Sequence, residues 1–248
     1  MSPSRPSASR VALVTGAAGG LGRAACAALA ADGIDVVGVD IHGDDVITAD
    51  MGTEDGARRA VEVVLERHGR LDVLVLNAAV QHVAPIPTFP VDEWDRLLDV
   101  LLKGPFLTMR AAWPSLTARP GGRIIATAST SAYVAEPFKA AYVAAKTGLL
   151  GLVRVAALEG GPHDLTANAV APGLMMTGLI EGQMEEQMRL RGQSRDEIVA
   201  NWCSGQAVKR PVETQEVAAV IAFLAGARSS GITGAVIPVD LGELACGE

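Results

Sequence analysis

Short apolar runs rich in β-branched residues alternate along the chain with longer stretches whose apolar positions recur at helical spacing. "RVALVTG", "AACAALAADG", "DVVGVD", "TEDGARRAVEVVLERHG" and "LDVLVLN" open the series. Strands buried on both faces of a parallel sheet read as nearly continuous apolar runs, and the helices between them carry the chain back across the sheet. The series continues with a long helix over "PVDEWDRLLDVLLKGPFLTMRAAWPSLTA", a strand at "GRIIATAST", a helix at "YVAAKTGLLGLVRVAALEG" and a strand at "LTANAVAPG". "ETQEVAAVIAFLAG" and "GAVIPVD" supply a last helix and strand. The pattern predicts an α/β fold: one doubly wound parallel sheet of about seven strands, with helices on both faces and right-handed crossovers. Residues 11–248 form this single domain, and residues 1–10, "MSPSRPSASR", read as a flexible tail. One stretch breaks the rhythm. Residues 178–210, approximately, are polar and helical in pieces, with Met184, Met188, Ile198 and Trp202 as apolar anchors. They follow a strand's carboxyl end, where ligands bind in open α/β sheets, and so predict a helical lid.

Composition narrows the function. The 248 residues, 49% hydrophobic and 20% charged, describe an ordered globular chain. A net charge of -7 without a dense Lys/Arg cluster argues against nucleic acid, because a phosphate backbone needs several neutralising contacts. No uncharged apolar run approaches the roughly 20 residues of a membrane span, so no membrane partner is expected. Cys26, Cys203 and Cys246 are odd in number and form no CxxC pattern. They predict neither a disulfide framework nor a metal site, and suit a reducing cytoplasm.

"VTGAAGGLG" follows the first strand and opens the first helix. Glycines there let the backbone approach a pyrophosphate, and the helix N-terminus supplies free N–H groups. Thr15, Gly16, Gly20, Leu21 and Gly22 are therefore candidate cofactor contacts. The second strand ends at Asp40, eighteen residues after Gly22, where a carboxylate can accept hydrogen bonds from an adenosine ribose. That favours NAD. The 2'-phosphate of NADP would face this carboxylate, and the following Ile41, His42 and Gly43 offer no arginine. "ADMG" puts Asp50 and Met51 where an adenine ring could rest.

Tyr133 and Tyr142 are the chain's only tyrosines, and Lys146 follows Tyr142 by one helical turn. An ammonium about 4 Å from a phenolate, at an effective dielectric near 20, stabilises it by roughly 4 kcal/mol, or about three pKa units. The expectation is a phenol that exchanges protons near neutral pH. Tyr133 is followed four residues later by Pro137, which argues for a loop and a pocket wall.

The spacing Thr15, Gly16, Gly20, Gly22, read as TGxxxGxG, together with Tyr142-x3-Lys146, resembles the short-chain dehydrogenase/reductase family. "LNAAV" with Asn77, Ser129 thirteen residues before Tyr142, and Pro172, Gly173 and Thr177 in "PGxxxT" extend the resemblance from about Val11 to Asp240. It implies a Rossmann-type fold in which Tyr142 exchanges the proton, Ser129 hydrogen-bonds the reacting oxygen and Lys146 also holds the nicotinamide ribose. Asn77, Pro172, Gly173 and Thr177 join the cofactor contacts by the same resemblance.

Within the family, "QHVAPI", "KAAYVAAK", "LIEGQM" and "KRPVET" are similar to bacterial 3-hydroxybutyrate dehydrogenases. That similarity implies Gln81, Lys139 and Gln183 as holders of a substrate carboxylate, with Ser131 in place of the pocket histidine. A lysine and two amides suit a small carboxylate. Three departures stand against it: Leu101 replaces the asparagine of the fourth helix, Leu76 and Ala79 alter the family's "NNAG", and Glu243 replaces a neutral residue after the last strand. The leading expectation is an NAD-dependent oxidoreductase interconverting a secondary alcohol and a ketone, with small 3-hydroxy acids as substrate class. The alternatives are a biosynthetic ketoreductase for a bulkier compound, argued from Ser131 and Glu243, and an NAD-binding protein with weak or lost catalysis, argued from Leu101. The apolar face of the Tyr142 helix and the resemblance imply a homo-oligomer, tetramer or dimer.

Overall fold

The computed structural model describes residues 9–246. Seven strands form one parallel sheet in the order β3-β2-β1-β4-β5-β6-β7. They are β1 (Val11–Thr15), β2 (Asp35–Asp40), β3 (Ile47–Thr48), β4 (Val73–Leu76), β5 (Arg123–Thr127), β6 (Thr166–Pro172) and β7 (Val236–Val239). Alternate residues of a strand feed opposite faces. Leu13 and Leu74 enter the core beneath α2 (Glu54–His68), α4 (Gly104–Leu116) and α5 (Ala140–Gly160), while Val14 and Val75 enter the core beneath α1 (Gly20–Ala31) and α8 (Thr214–Ala225). Both faces of β1, β4 and β5 are therefore buried, which is why these strands read as unbroken apolar runs.

The chain winds outward from β1 toward β3, then restarts at β4 and winds the other way. Where the direction reverses, the loops after β1 and β4 part and leave a crevice at the strands' carboxyl ends. Of the catalytic, cofactor and substrate candidates named above, all but Thr15 line that crevice.

The expected long helix at 90–118 is interrupted. It consists of α3 (Val91–Leu98), a π-helical turn at Asp99–Lys103, and α4. Pro105 carries no N–H and cannot donate to the carbonyl of Leu101 four residues earlier, so the helix widens ahead of it. The lid segment forms α6 (Gly178–Arg191) and α7 (Arg195–Ser204), the latter started by a reciprocal Ser194–Glu197 cap. Met184 and Ile198 anchor it as expected, whereas Met188 is exposed at 36%.

Most of the expected tail, residues 1–8, lies outside the described residues. Arg10, placed at its end, is instead tied down, donating to the carbonyls of Ala225 and Gly121. The segment Ala140–His163 is by length and composition apolar enough to cross a membrane, although it carries Lys146, Arg154 and Glu159 and so is not an uncharged run. Its face of Ala141, Ala145, Leu149 and Val153 is packed inside the protein, as befits a central core helix.

Candidate active site

The cleft at the sheet's carboxyl edge has a volume of about 790 Å³ and runs from the glycine-rich loop to the lid. At one end the loop after β1 turns sharply. Gly16 adopts φ 66°, and a side chain there would reach within 2.8 Å of Ala78 Cα; one on Gly22 would overlap the Gly16 carbonyl. These two positions require glycine for steric reasons in this protein. Thr15 ties the loop to β4, its hydroxyl accepting from the N–H groups of Asn77 (2.8 Å) and Ala78 (2.9 Å). The Asn77 amide in turn donates to the carbonyls of Thr15 (3.0 Å) and Gly16 (3.2 Å). The changes at Leu76 and Ala79 leave this clasp intact, because the asparagine that makes it is Asn77.

Asp40 ends β2 beside this loop, accepting from the N–H groups of Ala18 (2.9 Å) and Ile41 (2.7 Å). Two backbone donors still leave a carboxylate with lone pairs for a ribose diol. Asp50 and Met51 line the same end of the cleft, and Pro172, Gly173 and Thr177 close it from the β6 side. A glycine cradle at a helix N-terminus with a carboxylate at the next strand tip fits a nicotinamide dinucleotide.

The catalytic candidates come from two elements. Ser129 follows β5, while Tyr142 and Lys146 share one face of α5. Lys146 is 2% exposed; its Nζ donates to the Thr127 carbonyl at 2.6 Å and lies 5.6 Å from the centre of the Tyr142 ring. Burial lowers the Lys146 ammonium from 10.5 to about 8. The Tyr142 phenol moves the other way, raised by burial to about 12, although hydrogen bonding with Ser129 lowers it and the charge of Glu136 raises it further. This corrects the expectation of a phenol near neutral pH. The sequence-based figure assumed a hydrated pair, whereas the fold removes water from both groups and places the ammonium over the ring.

Toward the lid, the structure brings together residues that the sequence separated. Ser131 donates to Glu136 Oε1 at 2.8 Å, and Lys139 Nζ donates to Glu136 Oε2 at 2.9 Å. Lys139, expected to hold a substrate carboxylate, already holds that of Glu136. Gln81, Gln183, Trp202 and Glu243 line the same part of the cleft, and Lys139 Nζ stands 5.4 Å from the centre of the Trp202 ring. Tyr133 does not line the cleft and is 50% exposed, so the pocket-wall expectation fails.

Glu136 and Trp202 were not among the sequence candidates. The only local signal for Glu136 was its position three residues before Lys139. The turn that brings the two together depends on Phe138 at φ 71°, a left-handed conformation that no pattern announces for a phenylalanine. Glu243 is carried in by a terminal turn whose N–H groups of Gly242 and Leu244 donate to Asp240 at 3.0 and 2.9 Å.

Leu101 is buried with Leu97, Ala141 and Ala145, and Tyr142 packs against this cluster. Its side chain is a core residue, and the polar function of the family's asparagine is absent from it.

Comparison with known proteins agrees with this geometry. A family model described as enoyl-(acyl carrier protein) reductase matches residues 16–243. The chain belongs to the short-chain dehydrogenase/reductase family. A D-beta-hydroxybutyrate dehydrogenase of Rhizobium meliloti (strain 1021) is 35% identical over 255 residues, covering 94% of this chain and 98% of that one. A carveol dehydrogenase from Mycobacterium avium, solved in complex with NAD, superposes with a TM-score of 0.88 at 28% identity, covering 96% of this chain and 99% of that chain. A blue fluorescent protein from a metagenomic library, solved with NADPH, gives 0.84 at 28%, covering 94% and 97%. As a short-chain dehydrogenase/reductase, the protein is an oxidoreductase that acts on alcohol or ketone groups with a nicotinamide cofactor.

Proposed function

We propose that the protein is an NAD-dependent oxidoreductase interconverting a secondary alcohol and a ketone, with Ser129, Tyr142 and Lys146 as its catalytic residues. The observation that carries this reading is the meeting of these three side chains, from two separate elements, in the cleft that also holds the glycine cradle and Asp40. The proposed dinucleotide contacts are Thr15, Gly16, Gly20, Leu21, Gly22, Asp40, Asp50, Met51, Asn77, Tyr142, Lys146, Pro172, Gly173 and Thr177. When bound, the nicotinamide supplies the acceptor or donor of the hydride. Ser129 holds the substrate oxygen; in oxidation Tyr142 Oη, as phenolate after its own proton has passed to solvent, takes the hydroxyl proton, and in reduction the phenol gives its proton to the carbonyl oxygen. Lys146 is the positive charge that stabilises the transient phenolate, held in place by Thr127.

NAD rather than NADP is supported by Asp40, since a 2'-phosphate beside this carboxylate would meet like charge. Retained catalysis is supported by the π-helical turn. Pro105 denies the Leu101 carbonyl its α-helical donor, so the backbone at this position can still bind water although the side chain cannot. For the substrate, Gln81, Ser131, Lys139 and Gln183 are the proposed contacts. Small 3-hydroxy acids draw support from the Rhizobium meliloti relative, and a bulkier compound from the roomy cleft. A homo-oligomer is supported by exposed Phe106, Val155 and Leu158 on α4 and α5, and a cytoplasmic location by three free cysteines.

The test is NADH formation from secondary alcohols by wild type and Tyr142→Phe. Turnover should fall by roughly 10²–10⁴-fold in the variant, with NAD binding, followed by fluorescence, almost unchanged. A variant that keeps more than about a tenth of wild-type turnover excludes Tyr142 as the proton carrier.

A further inference from the structure

The lid end of the cleft carries a charge arrangement unlike the one that an acid substrate needs. Lys139, the cleft-lining cation that stands over the Trp202 ring, is 5% exposed and ion-paired with Glu136, whereas Arg23 and Arg96 also line the cleft, Arg96 paired with Glu93. The other lysine of the cleft, Lys146, is committed to Thr127. Arg191 also stands over the Trp202 ring, but it donates to Gln187 and does not line the cleft. Glu243 adds a second carboxylate, close enough to interact electrostatically with both Glu136 and Lys139. Two carboxylates thus share one available ammonium, and an incoming anion would compete with Glu136 for Lys139 while facing Glu243.

The uncharged groups add a second, independent constraint. Gln183 is 5% exposed and lines the cleft, yet among the described residues neither its Nε2 nor its Oε1 has a hydrogen-bond partner, and Trp202 Nε1 also lacks one. Buried, unbonded donors and acceptors favour a ligand that can supply both. A carboxylate only accepts and an ammonium only donates, but a hydroxyl does both. Glu136 is already engaged by both Ser131 and Lys139, so an incoming ammonium would compete with Lys139 for it.

Resting on the alcohol–ketone activity proposed above, we infer that the substrate is an uncharged hydroxy compound whose second hydroxyl meets Gln183 and Trp202, and that Glu136 is the residue that turns hydroxy acids away. The reaction balances as any secondary alcohol oxidation: the carbinol hydrogen leaves as hydride to NAD, the O–H proton passes to the Tyr142 phenolate and on to solvent, and a hydroxy ketone remains.

Three compounds with one carbon skeleton separate the possibilities: 3-hydroxybutyrate, 1,3-butanediol and 4-amino-2-butanol. Their kcat/KM values with NAD, and their affinities from Trp202 fluorescence with Trp202→Phe as control, are measured for wild type, Glu136→Gln and Glu243→Gln. The diol should exceed both charged compounds by at least about tenfold in wild type, and Glu136→Gln should shift the ratio toward 3-hydroxybutyrate by at least about tenfold. Preference of the wild type for 3-hydroxybutyrate, or for the amino alcohol, overturns the inference. If Glu136→Gln fails to fold, Glu136→Ala takes its place: the same shift supports the inference, an unchanged ratio overturns it, and should both fail to fold, the wild-type preference decides. Absence of turnover with all three compounds counts against the oxidoreductase reading, and the fluorescence affinities then decide the inference alone.

Discussion

Lys146 is a cation held inside the protein at a cost, and the cost has a pH dependence that can be measured. Its ammonium is lowered from 10.5 to about 8 by burial. At 1.36 kcal/mol per pKa unit, keeping it charged in the fold costs about 3 kcal/mol relative to the unfolded chain. Below about pH 8 both states carry the proton and the full cost applies. Between about 8 and 10.5 the unfolded chain binds more protons than the folded one, so stability rises with pH and the cost disappears. Lys146→Met removes the charge and keeps the apolar stem. It also leaves the Thr127 carbonyl without its donor, a pH-independent loss of about 1–3 kcal/mol. The two effects separate when urea unfolding free energies of both proteins are compared without nucleotide from about pH 7 to about pH 10.5. The stability of the variant minus that of the wild type should fall by about 2–3 kcal/mol over this range, because the wild type alone gains. Tyr142 and all other titrating groups are common to both proteins and largely cancel. A difference constant to within about 0.5 kcal/mol would mean that Lys146 is not desolvated, and the account of the Tyr142–Lys146 pair would fail with it.

Asp40→Ala removes the charged acceptor proposed for the adenosine ribose, and NAD affinity by fluorescence titration should fall by about 10–100-fold while that for NADP falls less or rises; equal losses for both would sink the assignment. Gly22→Ala forces a Cβ onto the Gly16 carbonyl, so dinucleotide binding should be lost while circular dichroism still reports the sheet and helices. Leu101→Ala opens a cavity among Leu97, Ala141 and Ala145 and should cost about 2–5 kcal/mol in urea unfolding; a cost below about 1 kcal/mol would show that Leu101 is not part of that core.

The sheet was legible because two-sided burial writes itself into composition. Val11 to Thr15, Val73 to Leu76 and Arg123 to Thr127 are each buried along their whole length. The glycine cradle was legible too, since its spacing is set by local sterics at Gly16 and Gly22. So was the pairing of Tyr142 with Lys146, which follows from one turn of helix. These are properties of neighbours in the chain.

Tertiary structure decided what depends on distant groups. Whether the phenol is acidic turned on how much water the folded cleft removes, and the answer reversed the direction expected from the pair alone. The π-helical turn arises where a proline meets a packed helix, and only there does Leu101 become a core residue. Lys139 was visible as a cation, but its partner Glu136 was set by the left-handed turn at Phe138, and Glu243 by the terminal turn on Asp240. Charge at a site is a sum over all groups that the fold brings together, so the sequence alone determined the family, the fold and the residues proposed to react, and only the folded chain decided the electrostatics of the cleft around them.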